Sequence, residues 1–190
     1  TYYDVGGRPF GAVLFAERFG ARDLPLLRNI LEVAARAHLP IVIETTAELA
    51  ASEALRALRA TPAGRYLGVG AADEVAPRLA ASFARTGFAT GVDGIEPLWL
   101  VAARIAHCIK VIHCGSVPLW QNLEALEKRF NDWLATLTAD PDDGARPFRA
   151  ARVQVRPDGD RLAFDLSLDK HADLVSEAGP VQMSGRLIRW

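Results

Sequence analysis

The chain has little of what marks a secreted, membrane-spanning or disulfide-stabilised protein. It contains only two cysteines, Cys108 and Cys114, among 190 residues, which is too few for a disulfide scaffold. Its apolar runs reach only about ten residues, whereas roughly 20 are needed to cross a bilayer. No basic-then-apolar start resembles a signal peptide. We therefore expect a cytoplasmic protein with reduced thiols and no membrane insertion.

The chain also lacks an excess of charge of either sign. Its 22 basic and 23 acidic residues give a formal net charge of −1, and no run of five or more basic residues occurs. Because no global positive field exists, nothing in the composition favours nucleic acid as a partner. Half of the residues are hydrophobic, so the chain can bury a substantial core as one large domain or two small ones.

Signatures of catalysis are missing as well. The sequence contains no Gly-x-Ser-x-Gly motif and no Walker loop, and His38 and His171 have no nucleophile or acid at a recognisable spacing. A site made of a nucleophile, a base and an acid therefore cannot be argued from these residues.

The first 95 residues alternate between short apolar runs and helical patterns. Residues 8–16 are typical of a buried strand, Asp23 with Pro25 predicts a helix that ends before Pro40, and the β-branched run at 41–43 suits a strand covered on both faces. A helix over 47–58, a weak strand over 66–69, a helix from Asp73 and a strand over 87–92 follow. This alternation predicts an α/β fold with a mixed sheet of about four N-terminal strands.

The pattern over 96–140 predicts two long amphipathic helices joined by a tight break at Cys114–Pro118, with Ser116 as the cap of the second helix. The apolar face of the first helix consists of Leu98, Val101, Ala102, Ile105, Ile109 and Ile112. That of the second consists of Leu119, Leu123, Leu126, Phe130, Trp133 and Leu137. The opposite, polar side of the second helix carries Gln121, Glu124, Glu127, Lys128 and Asp132.

The period changes from helical to alternating in the last region, 147–190. Val153 and Val155 alternate with polar residues, a turn follows at Pro157–Asp160, and apolar residues alternate again from Leu162 to Leu168. This pattern predicts a β-hairpin, and Val181, Met183 and Leu187 predict a final strand. We expect the three regions to form a single α/β domain over 1–190.

One alternative function rests on the turn Gly68-Val69-Gly70, between a predicted strand and a predicted helix. In a nucleotide-binding enzyme such glycines let a pyrophosphate approach the helix N-terminus, and Asp93, about 20 residues on, binds ribose. Asp73 stands where a third glycine is expected, however, and its carboxylate repels phosphate. The simpler interpretation is a glycine turn followed by an N-cap at Asp73.

A second alternative is a small metal-binding module at His107, Cys108, His113 and Cys114, four potential zinc ligands in one short segment. Residues seven apart on a helix lie about 10 Å apart along its axis. One ion therefore reaches all four only if the helix breaks before His113. Packed histidines and buried thiols are the competing interpretation.

Three stretches of sequence carry a resemblance to a known family. Residues 104–112, RIAHCIKVI, are similar to an Arg-Phe-Ala-His-Tyr-Leu-Lys-Val-Ile signature, and residues 127–155 to a Leu-Asn-Arg-Trp-Ile type helix, an acidic loop and an Arg-Val-Gln-Val strand. Residues 6–49 are similar to a Gly-Glu-Pro-Tyr-Gly-Ala-Leu strand and a Leu-Leu-Arg helix. The family with these features is the large subunit of the type VI secretion contractile sheath, the TssC or VipB family. Most of its stretch between positions 69 and 88 and its N-terminal arm are absent here, so we expect a shortened or divergent relative, or a fragment.

The resemblance implies a structural subunit that works by assembly and contraction, without catalytic residues or enzyme activity and without a cofactor or a metal. The implied partners are a small sheath subunit, neighbouring copies of the chain that exchange strands with it, and an inner tube protein. On this view the candidates for partner contact are Glu124, Lys128, Arg129 and Asp132 on the second helix and Val181, Met183 and Leu187 on the final strand.

Overall fold

The computed structural model describes residues 11–84, 92–116, 122–138, 148–170 and 180–187. Contacts divide the chain into two compact units, one of Phe10–Arg104 and one that contains Ile105–Trp190. The boundary lies inside one helix, α5 (Pro97–Cys114), and not at residue 95, where the sequence pattern changes. The α/β fold class is confirmed, and the single domain over 1–190 stays a prediction. None of the described helices is both long and apolar enough to cross a membrane.

The N-terminal unit contains a three-stranded parallel sheet with helices in its connections. Its strands are β1 (Val13–Phe19), β2 (Ile41–Thr45) and β3 (Leu67–Val69), in that order across the sheet. The connecting helices are α1 (Leu24–Ala37), α2 (Ala47–Ala51) and α3 (Glu53–Arg59), and α4 (Ala72–Ala84) follows β3. The central strand is buried over its first three residues, as its β-branched run predicts.

Side-chain caps determine where the helices after β2 begin. The Thr46 hydroxyl oxygen accepts a hydrogen bond from the Leu49 N–H at 3.2 Å, and the Ser52 hydroxyl oxygen accepts one from the Leu55 N–H at 3.1 Å. Each bond satisfies an amide that the first turn of a helix leaves without a partner. The single helix predicted over 47–58 is therefore wrong: the Ser52 cap starts a new helix, so two short helices form.

The C-terminal unit contains α6 (Leu123–Ala135) and an antiparallel sheet of β4 (Phe148–Asp158), β5 (Arg161–Lys170) and β6 (Val181–Leu187). The predicted hairpin and final strand are confirmed. Asp158 pairs with Arg161 across a two-residue turn, and Gly159 there has a φ of 62°, which glycine adopts without strain. The main contact of α6 among the described elements is with β4.

Alternation gives the C-terminal sheet one apolar and one polar face. The apolar face is formed by fully or almost fully buried side chains, namely Val153, Leu162, Phe164, Leu166, Leu168, Met183 and Leu187. Helix α6 buries its own apolar residues, Leu126, Phe130 and Leu134. The polar face carries Arg152, Gln154, Arg156, Asp165, Ser167, Gln182, Ser184 and Arg186.

Several predicted element boundaries are wrong. Helix α4 begins at Ala72, one residue before Asp73, so Asp73 lies in its first turn and is not its cap. The cap of α6 is Asn122, whose side chain accepts from the Ala125 N–H at 3.0 Å. Ser116 is buried and instead donates from its hydroxyl to the Ile112 carbonyl at 2.5 Å, one turn back in α5.

Other predictions fall partly outside the described residues. The first strand is predicted over residues 8–16. In the described residues it runs from Val13 to Phe19, so it ends three residues later than predicted. Of the fourth N-terminal strand, predicted over 87–92, only Val92 is described, and it forms an isolated bridge with Ile95. The residues Leu119 and Gln121 of the second helix also lie outside the described residues.

Helix α5 is buried over most of its circumference. Besides the predicted Leu98, Ala102, Ile105 and Ile109, the structure buries Leu100, Ala103 and Ala106. The prediction of one apolar face is therefore too narrow. A helix with apolar residues on more than one side is buried on more than one side.

Truncation of Phe130 tests the packing of the C-terminal unit. Its side chain is fully buried, so Phe130→Ala removes a ring from a closed site and is expected to lower the free energy of unfolding by about 3–5 kcal/mol. Urea titration measures the loss. The neighbouring Arg129 is exposed, and Arg129→Ala is the matched control with a change of less than about 0.5 kcal/mol. A loss below about 1 kcal/mol for Phe130→Ala would contradict the described packing.

Candidate assembly surface

The outer face of α6 consists of the four predicted residues Glu124, Lys128, Arg129 and Asp132, all of which are exposed. The Lys128 ammonium lies 2.7 Å from the Asp132 carboxylate, one helical turn further on. An exposed pair of this kind contributes only about 0.3–0.5 kcal/mol to stability. The fold hardly depends on this face, which leaves its charges available for a partner.

Glu127 does not belong to that outer face, contrary to the sequence prediction. Its carboxylate accepts a hydrogen bond from the Val155 N–H of β4 at 2.8 Å. One turn on, the Asn131 side chain accepts from the Val153 N–H at 3.0 Å and donates to the Val153 carbonyl at 2.9 Å. Sequence reasoning overlooked Asn131, although an asparagine beside the buried Phe130 inside a helix is a signal for a tertiary hydrogen bond.

The three candidates on β6 lie differently from those on α6. Met183 is 5% exposed and Leu187 is fully buried, so both side chains belong to the apolar face of their own sheet, and Val181 is half-buried. Strand β6 lies at one end of the described strand order β4-β5-β6. Along its outer edge it therefore carries backbone N–H and C=O groups that do not pair with β5.

The polar face of the sheet is linked across strands by ion pairs. Arg156 donates from Nε to Asp165 at 2.8 Å, and the Ser184 hydroxyl donates to the same carboxylate at 2.6 Å. The hydrogen bond from Ser184, followed by the one from Arg156, lowers the pKa of Asp165. Arg186 meets Asp158 at 2.7 Å, and Arg149 meets Asp169 at 2.5 Å. These pairs bridge β4, β5 and β6 but are largely exposed, so each contributes little to stability.

The glycine turn after β3 is filled by aliphatic side chains. A Cβ added to Gly68 would lie 2.6 Å from the Val92 Cγ1 atom, and one added to Gly70 would lie 2.7 Å from the Val75 Cγ2 atom. The predicted strand, turn and helix are present, but the space left by both glycines is occupied within the chain. Asp93 pairs with Arg59 at 3.5 Å, and its carbonyl accepts from the Val69 N–H at 2.8 Å. The residues of this turn therefore do not fit a bound pyrophosphate.

The histidines and cysteines of α5 lie on one unbroken helix. The helix continues to Cys114, so the break before His113 that a four-ligand site requires does not occur. His107 and His113 are buried, and Cys108 and Cys114 are half-buried and not joined in a disulfide. Among the residues that the structure describes, no three His, Cys, Asp or Glu side chains lie close enough to hold a metal ion.

His38, the remaining described histidine, ends α1. It has a left-handed φ of 54°, and its buried ring packs edge-on against Tyr66, with the ring centroids 6.1 Å apart. Burial raises the pKa of the Tyr66 hydroxyl. His38 therefore closes a helix and packs in the N-terminal unit, while His171 lies outside the described residues.

Lys110, in the middle of the 104–112 segment, is a buried basic residue that sequence reasoning did not single out. Only 4% of it is exposed, and burial lowers its pKa from 10.5 to about 8. The charge of a lysine is destabilising in such surroundings, because water no longer solvates the ammonium.

Part of the chain matches a known protein family. Residues 95–175 match the family model described as EvpB/VC_A0108, tail sheath gpW/gp25-like domain. The matched segment contains α5, α6, β4 and β5 in full, including residues 104–112 and 127–155. No curated protein and no solved structure matches the chain significantly. The match confirms the resemblance of residues 104–112 and 127–155 to the sheath family. The resemblance of residues 6–49 lies outside the matched segment and stays a prediction.

Lys110 predicts a pH dependence of stability. Its pKa is lower in the folded chain, so between about pH 8 and pH 10.5 the unfolded chain binds more protons and stability rises with pH. The rise attributable to Lys110 is up to about 3 kcal/mol. We expect Lys110→Met to remove this rise and the exposed Lys128→Met to retain it, in urea titrations across this range. Equal pH slopes for the wild type and Lys110→Met would refute the assignment.

Proposed function

We propose that this chain, whose residues 95–175 are related to the large subunit of the type VI secretion contractile sheath, is a structural subunit of such a sheath. It works by assembly and contraction, and none of its residues is catalytic. The single observation that carries the proposal is the family match over a helix, a second helix and a hairpin. A nucleotide-binding role finds no support, because Val92 and Val75 fill the space at the glycine turn.

The exposed charges of α6 support a protein partner for this face. Lys128 and Arg129 are neighbours on the helix, and Glu124 and Asp132 lie about one turn to either side of them. Charges arranged in this way on an exposed face add little to the fold but select a partner with the complementary pattern. We propose that α6 meets a small sheath subunit, a neighbouring copy of the chain or the inner tube protein through this face.

The position of β6 supports strand pairing with another chain. It lies at one end of the described sheet, and an edge strand offers backbone donors and acceptors to an added strand. Met183 and Leu187 are buried in their own sheet, so in this proposal β6 contributes its backbone to the contact. Val181, which is half-buried at the start of the strand, is the candidate for side-chain contact.

Co-expression tests the proposed function directly. We expect the chain to co-purify with a small subunit of the type VI sheath and to form rings or tubes visible by negative-stain electron microscopy. The chain expressed alone is the control for association that does not depend on the partner. If the purified pair gives neither co-elution in size-exclusion chromatography nor ordered particles, the sheath role is wrong.

Charge reversal on α6 tests the proposed contact face. We expect Lys128→Glu with Arg129→Glu to reduce co-purification and particle number at least about tenfold, because like charges across an interface repel. The thermal midpoint should change by less than about 3 °C, since both residues are exposed. Arg22→Glu with Arg28→Glu makes the same change of charge at exposed positions of the N-terminal unit.

Two outcomes contradict the role of the α6 face. The first is normal assembly of the α6 variant. The second is an equal loss of assembly in the control variant, which would show that only net charge matters.

A further inference from the structure

Strand β4 lies at the end of the described strand order opposite β6, and among the described strands it pairs with β5 alone. At its first residue, Phe148 also forms an isolated bridge with Thr138. The backbone groups on the other side of an edge strand are a template for a strand of another chain. How this edge is satisfied therefore decides whether a second copy can pair with it.

The Asn131 side chain occupies the edge at Val153. Its amide accepts from the Val153 N–H at 3.0 Å and donates to the Val153 carbonyl at 2.9 Å. These are the two hydrogen bonds that a residue of an adjoining strand would make. A further bond of 2.9 Å from the same amide nitrogen to the Glu127 carbonyl fixes the orientation of the side chain.

The next two outward positions of β4 also lack a backbone N–H that could bond to another strand. Alternate residues of a strand turn their backbone groups to the same side, so Val155 and Pro157 face outward as Val153 does. The Val155 N–H donates to the Glu127 carboxylate at 2.8 Å. Pro157 has no N–H to offer. Over three successive outward positions, β4 thus has no backbone donor left for another strand.

We propose that Asn131 and Glu127 form an edge lock, defined as these two side chains, which reserves β4 for α6 and excludes a strand from another chain. The two residues lie four apart and therefore on one face of α6. The lock deepens the proposed function, because it confines strand addition to the far side of the sheet. It also applies to the isolated chain and is tested without a partner, so its failure is separate from a failure of the sheath role.

The test replaces both side chains by apolar ones of similar size. In Asn131→Leu with Glu127→Met, hydrogen exchange at the Val153 and Val155 amides should be at least about tenfold faster in dilute protein than in the wild type. At high protein concentration the variant should form dimers or larger species in sedimentation velocity, with these two amides protected again. The single variant Glu127→Gln keeps an acceptor oxygen and should behave as the wild type.

A third substitution separates an open edge from general destabilisation. Adding Val155→Pro to the double variant removes an outward N–H in the way that Pro157 already does, and we expect it to restore the monomer. Continued association of this triple variant would overturn the proposal, and so would a double variant that stays monomeric with slow exchange. If the double variant does not fold, the single variant Glu127→Met takes its place. An unchanged hydrogen-exchange rate at the Val155 amide in this variant would refute the edge lock.

Discussion

The hydrogen-bond pair between the Asn131 side chain and the Val153 backbone is the constraint on which the C-terminal unit depends. It ties the middle of α6 to the middle of β4, and thereby sets which face of the helix turns inward. With Asn131 directed at the strand, Phe130 and Leu134 are buried and Lys128, Arg129 and Asp132 are exposed. The buried and the charged faces of α6 thus follow from the same contact.

The N-terminal unit contains a site of close packing around two glycines. The space that side chains would occupy at Gly68 and Gly70 holds Val92 and Val75, which belong to an apolar cluster with Val42, Leu79, Ile95 and Leu100. Glycine is needed here because these aliphatic groups approach the backbone closely. The same two glycines in a nucleotide site would serve an anion, so the residue type alone does not distinguish the two uses.

Much of this architecture could be predicted from the sequence because its signals are local. The alternating pattern predicts the hairpin of β4 and β5, and the β-branched run predicts the buried strand β2. Features that depend on tertiary contacts have no such local signal. Glu127 looked like a surface residue because its partner, the Val155 N–H, lies 28 residues away in the chain. The burial of Lys110 was missed for the same reason, since an isolated lysine in a helical pattern is usually solvated.

The order of strands has a consequence for how the chain acquires its structure. In both sheets each described strand after the first pairs with the strand that precedes it: β2 with β1, β3 with β2, β5 with β4, and β6 with β5. During synthesis, each of these four strands therefore emerges after the strand with which it pairs. In the antiparallel sheet, where a two-residue turn joins β4 to β5, such pairing limits the entropy cost of loop closure. Each sheet can form within a single chain, before any second chain is encountered.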